Sequence, residues 1–274
     1  MAVKSKEIFP ALFSRHAAAY QQRLDEIMAR GEAAGRQRVI EAVQPRPGMR
    51  IVDLACGPGT LSRPLAARVA PDGEVVGVDL APGMIALARA IGMQNARFEV
   101  MDIEGLEFPD AGFDAATCGH GLQFVPDLGR ALREVHRVLR AGSRFAASVP
   151  VDDGRQAWTA LDRVVDRMLP PAPQPVDRSV TRTVVADAAA LRQVILDAGF
   201  AHAEVEVIEE KVVWDSAEHL VMRAMSWWDL ASRLDGLASV RRQDFIDEAV
   251  AAVRSEHPGR IETRARNHVA VAIA

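Results

Sequence analysis

Two short segments contain residue types that can bind a nucleotide-like molecule. The segment IVDLACGPGT at 51–60 places an apolar run before a turn containing Gly57 and Gly59, and VVGVD at 75–79 is a second apolar run that ends in Asp79. A glycine turn lets backbone N–H groups approach a ligand, and an acid at the tip of the neighbouring strand can accept hydrogen bonds from ribose hydroxyls. The spacing therefore predicts a site for an adenosine or a dinucleotide.

Alternating strand and helix patterns surround these two segments. Strands are predicted near 50–55, 74–79, 96–101, 113–118 and 144–149, and helices near 60–70, 83–92 and 127–140. Asp127 can cap the last of these helices, and Gly142 follows its end. The alternation predicts an α/β fold with a doubly wound, mostly parallel sheet.

The regions outside this alternation have a different character. The first 45 residues are predicted to be helical, and residues 169–177 (LPPAPQPVD) form a proline-rich loop after a further helix. A helix at 187–198, a strand at 203–214, two more helices and a terminal strand, RNHVAVAIA, follow. We expect the last strand to be antiparallel, and we divide the chain into 1–47 (N-terminal helical segment), 48–150 (α/β core), 151–182 (cap insert) and 183–274 (remainder of the sheet, with pocket helices).

Composition narrows the class of partner. The net charge of the 274 residues is -4 with scattered basic residues, which is unlike a nucleic-acid-binding protein. No uncharged stretch is long enough to span a bilayer, so we expect a soluble, cytoplasmic protein with a small-molecule partner. Two cysteines and seven histidines without metal-type spacing predict no bound metal. The oligomeric state stays open, and a homo-oligomer is possible.

The glycine turn departs from the dinucleotide pattern. Gly-x-Gly-x-x-Gly would need a third glycine where Ser62 stands, and Asp53 precedes the first glycine by four residues. These residues resemble the first motif of the class I S-adenosylmethionine-dependent methyltransferases. The resemblance continues through Asp79, VMDIEGLEF at 100–108, FDAATCGHGLQFVPD and ALREVHRVLRAG. It covers roughly residues 35–150 closely and is nearest to the ubiquinone/menaquinone-biosynthesis type.

The resemblance implies S-adenosyl-L-methionine (SAM) as cofactor, S-adenosyl-L-homocysteine (SAH) as product and a Rossmann-like methyltransferase fold. It implies that Asp79 holds the ribose hydroxyls, Asp102 faces the adenine amino group and Met84 packs on the adenine. Asp53 reaches the methionine ammonium or only holds the glycine turn. Tyr20, on an N-terminal helix that closes over the cofactor, is implied to touch the methionine carboxylate. The remaining cofactor contacts implied are Ala55, Gly57, Gly59, Leu80, Ile103 and Cys118.

The implied reaction is methyl transfer to a small, apolar or aromatic acceptor such as a quinone precursor or natural product. His120 is the candidate general base, because it follows the fourth strand beside the acceptor; the alternative is that it only shapes its loop. Acceptor-pocket residues are expected from the N-terminal helix, from 151–182 and from the helix carrying Met222, Met225, Trp227 and Trp228. Other possible functions are a SAM-binding fold that cyclises a substrate or senses the cofactor, and a nicotinamide-dependent oxidoreductase.

Overall fold

One sheet of seven strands forms the centre of the computed structural model, which describes residues 4–152, 158–172, 175, 177 and 179–274. The strands are β1 (Arg50–Leu54), β2 (Glu74–Asp79), β3 (Ala96–Val100), β4 (Phe113–Gly119), β5 (Leu139–Asp152), β6 (His202–Trp214) and β7 (Ile261–Ile273). Their order in the sheet is β3-β2-β1-β4-β5-β7-β6. The first five strands are parallel, and β7 runs antiparallel to both β5 and β6. The predicted doubly wound, mostly parallel sheet with an antiparallel last strand is confirmed.

Helices cover both faces of this sheet. They are α1 (Ser5–Arg15), α2 (Ala17–Ala29), α3 (Ala34–Ala42), α4 (Ser62–Val69), α5 (Pro82–Ala90), α6 (Leu128–Val138), α7 (Thr159–Met168), α8 (Ser179–Ala186), α9 (Ala188–Asp197), α10 (Ala217–Ala224), α11 (Trp228–Leu234) and α12 (Ser239–Glu256). A short 3₁₀ turn covers Leu122–Phe124.

The central strand β1 shows why its sequence is apolar on both sides. Ile51 packs into a core shared with α3 and α4, whereas Val52 and Leu54 pack into a second core shared with α6 and α9. All three side chains are fully buried. A parallel strand covered by helices on both faces needs such a continuous apolar run. Because Leu54 pairs with Val78 on one side and Cys118 on the other, β1, β2 and β4 end at the same edge of the sheet.

Several predicted boundaries differ from the structure. The N-terminal region is three helices, not one, because His16 separates α1 from α2 and residues 30–33 separate α2 from α3. The helix capped by Asp127 ends at Val138 instead of 140, since Leu139 already pairs with Phe113 in the sheet. Between β6 and β7 lie three helices instead of two. The additional helix, α11, has no side-chain cap, and it buries Leu230, Ala231 and Leu234.

A further apolar core lies apart from the two sheet cores described above. Side chains of α7 meet those of α10, α11 and α12 in this cluster, which includes Leu161, Leu220 and Phe245. The helix of the 151–182 insert therefore packs with the late helices as one unit, which we call the cap. The insert boundary at 182 lies inside α8. Residues 173, 174 and 176 of the proline-rich loop are outside the described residues.

Candidate active site

The glycine turn and the acid at the end of β2 form one hydrogen-bonded unit. Gly57 (φ +54°) and Gly59 (φ +81°) have left-handed backbone conformations that favour glycine. The Gly57 N–H donates to Asp79 Oδ2 over 2.9 Å, and the Ala81 N–H donates to Asp79 Oδ1 over 2.8 Å. Burial raises the pKa of Asp79, and backbone N–H groups of Ala81, Gly57 and Leu80 act against that rise. Each carboxylate oxygen retains a lone pair for a further donor.

Asp53 ties three elements together beneath the turn. It is 1% exposed, and it accepts hydrogen bonds from Ser62 Oγ at 2.6 Å and Thr117 Oγ1 at 2.9 Å. Burial raises its pKa to about 6, although the two hydroxyl donors lower it. Asp53 also borders a small cavity of about 20 Å³ together with Tyr20 and Arg36. This geometry fits a role in holding the glycine turn.

A cavity of about 130 Å³ opens at the shared edge of β1, β2 and β4. Many residues singled out from the sequence line it: Tyr20, Ala55, Gly57, Asp79, Leu80, Met84, Asp102, Ile103 and His120. Two others do not. A Cβ atom on Gly59 would face Phe98 at 3.5 Å, so Gly59 shapes the turn from behind. Cys118 is fully buried in the sheet core, and its neighbour Gly119 lines the cavity instead.

Helix α1 closes one side of this cavity. Lys6 Nζ lies 2.6 Å from Asp102 Oδ2 and 2.6 Å from Glu104 Oε2, and Ser14 Oγ accepts a 3.0 Å hydrogen bond from the Gly83 N–H. Sequence reasoning missed Lys6. A single lysine in an N-terminal helix carries no motif, and Asp102 is 96 residues away.

His120 occupies the boundary between two cavities. Its φ of +62° is unusual for a residue with a side chain, its N–H donates to Ser148 O at 2.9 Å, and its carbonyl accepts from Gln123 Nε2 at 2.8 Å. The residue is partly exposed, but its Nε2 atom is buried and has no hydrogen-bond partner within the described chain. Burial, followed by the charges of Arg36 and Arg23, lowers the pKa of His120 well below its ordinary value. The imidazole is therefore neutral at neutral pH.

The second cavity is larger, about 660 Å³, and lies between the sheet edge, the N-terminal helices and the cap. Seven Phe, Tyr and Trp side chains line it: Phe13, Tyr20, Phe124, Trp158, Trp214, Trp227 and Trp228. Three of its arginines are almost fully buried: Arg23, Arg36 and Arg223. Of the four residues predicted for this pocket on one helix, Trp227 and Trp228 line it, and they lie at the start of α11. Met225 packs in the cap, and Met222 is 56% exposed.

Two further features bear on the class of site. No group of three His, Cys, Asp or Glu side chains among the described residues is arranged to hold a metal ion. Nor is any helix in the described part of the chain long and apolar enough to cross a membrane.

Comparison with known proteins identifies the domain that holds the first cavity. Residues 51–142 match the family described as "Methyltransferase domain". A methyltransferase domain thus occupies residues 51–142. This domain contains the glycine turn, Asp79, Asp102 and His120, and the membership predicted from their motifs is confirmed.

Named relatives of the methyltransferase domain act on quinones. The chain is 34% identical over 151 residues to 2-phytyl-1,4-naphtoquinone methyltransferase of Synechococcus elongatus, covering 53% of this chain and 65% of the relative. It is 34% identical over 140 residues to demethylmenaquinone methyltransferase of Symbiobacterium thermophilum, covering 49% and 55%. The match thus spans less than two thirds of either relative. The solved YcgJ protein of Bacillus subtilis, with 19% identity, a TM-score of 0.56, and coverage of 88% of this chain and 97% of that one, shares the fold.

Proposed function

We propose that this protein transfers a methyl group from SAM to a small, apolar or aromatic acceptor. The observation that carries the proposal is the position of His120. It lines both the cavity of the methyltransferase domain and the larger aromatic cavity. A methyl group leaving a cofactor in the first cavity would pass to an acceptor in the second at this point. The quinone substrates in the relatives' names are compatible with the aromatic walls.

The first cavity has the donors, acceptors and space that SAM requires. A Cβ atom on Gly57 would meet no atom within 4 Å, so the glycine leaves its side of the turn open to a ligand. Asp79 would accept the two ribose hydroxyls with its remaining lone pairs. Asp102 would accept from the adenine amino group, and the buried Met84 side chain would pack on the ring. These assignments explain why the lining residues come from the ends of successive strands.

Arg36 completes the site at the methionine end. It is 6% exposed, and it borders both the small cavity beside Asp53 and Gly57 and the large cavity. None of the described residues forms an ion pair or hydrogen bond with its guanidinium. We assign the methionine carboxylate to Arg36, with Tyr20 beside it, because a planar guanidinium matches a carboxylate in a bidentate contact. From the sequence, only Tyr20 is expected in this role.

The chemistry requires alignment more than activation. SAM supplies a methyl group already activated on a sulfonium, and the acceptor atom must lie in line with the methyl and sulfur. Such positioning can lower a barrier by about 7–11 kcal/mol. If the acceptor is a hydroxyl, neutral His120 can take its proton at Nε2, which has no protein partner. His120 then returns the proton to solvent.

Calorimetric titration with SAM, SAH and NADH tests the cofactor. We expect SAM and SAH to bind and NADH not to bind. Release of SAH with a panel of hydroxylated naphthalenes and quinols then tests transfer. Tight SAH binding without transfer to any acceptor, together with cofactor-dependent cyclisation of a polyene, would replace methyl transfer by a non-methylating use of the same fold. Binding of NADH in preference to SAM would refute the cofactor assignment.

A further inference from the structure

Arg23 presents a buried positive charge to the large cavity. The side chain is 8% exposed, and its Nε and Nη1 atoms have no hydrogen-bond partner. No carboxylate of the described residues forms an ion pair with it. The guanidinium carbon lies 4.9 Å from the Tyr20 ring centroid and 4.6 Å from that of Trp227, so the two rings hold its plane. A buried charge without a partner is costly unless something else compensates it.

Arg223 of α10 adds a second buried guanidinium to the lining of this cavity. Its Nη1 donates to Glu32 Oε2 at 3.3 Å, and its Nε lies 3.6 Å from Glu26 Oε2 in an ion pair, but Nε and Nη2 make no hydrogen bond. Burial and the neighbouring charges of Arg36 and Arg223 lower the pKa of Arg23 to about 10, which leaves Arg23 cationic at neutral pH. Repulsion among three close cations makes the absence of an anion more costly.

The acids along this cavity are already engaged or lie at its margin. Glu32 accepts from Arg30 at 3.0 Å, from Arg223 and from the Val213 N–H at 3.2 Å. Glu210 accepts from the Gly35 N–H at 2.7 Å. Asp229 is half-buried at the start of α11. The lining that the structure describes thus has three buried arginines and two buried acids. Both acids already accept hydrogen bonds from groups of the protein.

We infer that the acceptor carries a carboxylate on an aromatic body, held by Arg23 and Arg223 while the methyl-accepting atom lies near His120. This rests on the proposed function for the position of the methyl donor. Free N–H donors of two guanidiniums match a carboxylate, and the tryptophan walls match the aromatic body. Arg36 is left for the cofactor. A neutral quinol would leave the buried guanidinium of Arg23 without a counter-charge.

Binding of matched probes to the SAH-loaded protein tests the anchor. The probes are 1-hydroxy-2-naphthoate with 1-hydroxy-2-naphthamide, and anthraquinone-2-carboxylate with its amide. Within each pair the ring system is the same, and a neutral amide of similar size replaces the carboxylate. We expect the acid of at least one pair to bind about tenfold to hundredfold tighter than its amide, which is the value of one or two hydrogen bonds between charged groups. Equal affinities, or no binding by any acid, would overturn the inference.

Variants of the cavity arginines identify which charge causes the preference for acids over amides. Arg23→Gln and Arg223→Gln should each reduce the acid preference to below about threefold, whereas Arg23→Lys should retain part of it. Retained SAH affinity within about threefold shows that each variant folds. Arg182→Gln removes an exposed arginine of the same cavity. If that variant alone abolishes the preference, the anion binds at the cavity mouth and the anchor is wrong.

The two proposals fail separately. Preferential binding of the acids without any affinity for SAM or SAH would refute the methyl-transfer proposal and keep the anion anchor. Binding of SAH and methylation of a neutral quinol at the same rate in wild type and Arg23→Gln would refute the anchor and keep methyl transfer.

Discussion

The backbone N–H of Gly57 donates to the carboxylate of Asp79 across 2.9 Å, so the glycine turn and the acid that we propose binds the ribose hold each other in place. The bond joins the end of β1 to the end of β2. A substitution at either residue therefore changes the geometry of the other. Binding and local stability should respond together.

Replacing Asp79 separates these two effects. Asp79→Ala removes the acceptor for the Gly57 and Ala81 N–H groups, and a hydrogen bond to a charged group is worth about 1.5–3 kcal/mol. We expect SAH binding to weaken at least a hundredfold and the free energy of unfolding to fall. Asp79→Asn keeps one carbonyl acceptor and should be closer to wild type in stability than in affinity. Calorimetry measures the SAH affinity, and urea unfolding measures the stability. If Asp79→Ala binds SAH as tightly as wild type, the assignment of Asp79 to the ribose is wrong.

Gly57 tests the open side of the turn. Its φ of +54° strains any side chain, and a Cβ would point into free space. Gly57→Ala should fold and lose part of its SAH affinity, whereas Gly57→Val should lose binding altogether, because branched methyl groups occupy the ligand's volume. Unchanged affinity in both variants would exclude the turn from the cofactor site.

His120→Asn tests the role of the imidazole at the cavity boundary better than His120→Ala does. Asparagine tolerates the positive φ of this position better than alanine does, so the loop is preserved while the imidazole is lost. With a hydroxyl acceptor we expect turnover to fall by about 10²–10⁴ and SAM affinity to stay within a few-fold.

The pH profile distinguishes a base from a spacer at His120. The lowered pKa of His120 places the acidic limb of the wild-type rate below the ordinary histidine range, and this limb should vanish in His120→Asn. Rates within about threefold and superimposable profiles would leave alignment as the whole mechanism.

Lys6 should control how long the cofactor stays bound. Its ion pairs with Asp102 and Glu104 hold α1 over the cavity, and Lys6→Met breaks both. We expect SAH to dissociate several-fold faster and the dissociation rate to lose its dependence on salt, since exposed ion pairs are screened. Lys4→Met, an exposed neighbour, is the control. Stopped-flow displacement measures the rates, and identical rates in all three proteins would contradict the clamp.

Asp53 makes stability depend on pH. Its pKa is raised from 3.8 to about 6 in the folded protein, so the unfolded chain releases its proton first, and folding loses stability as pH rises from about 4 to 6. A shift of this size corresponds to roughly 3 kcal/mol. The stability of wild type relative to Asp53→Asn should therefore decrease between pH 4.5 and 7 in urea unfolding. A constant difference would show that Asp53 has an ordinary pKa.

The sequence predicts the sheet well because each buried strand is an apolar run followed by a turn or an acid. This local pattern predicts that Leu54, Asp79 and Asp102 lie at or just after strand ends. The order of the strands in the sheet then brings these strand ends close together. Cys118 shows the limit: the end of β4 was identified, but only the pleat decides which of Cys118 and Gly119 faces the cavity.

Long-range contacts are what the sequence does not show. Lys6 is 96 residues from Asp102, and no periodicity links them. An arginine in a helix is expected on the solvated face, so Arg23 and Arg36 gave no signal by themselves. For Arg23 the sequence does contain an indication of its position. Arg23 lies three positions after Tyr20 and therefore shares its helix face. The break of the N-terminal region at His16 also depends on packing, since that residue pairs with Asp235 of the cap.

The place of β7 in the sheet sets an order of assembly. β6 is an edge strand whose described partner is β7, yet β7 is synthesised about 50 residues later, after the three cap helices. During translation the parallel strands β1 to β5 can pair before β7 is synthesised, whereas β6 has no strand to pair with until then. Thr263, Ala265 and Asn267 of β7 also line the large cavity. On the ribosome, the cofactor half can therefore form before the acceptor half exists, and a nascent chain stalled before residue 261 should be able to bind SAH but no acceptor.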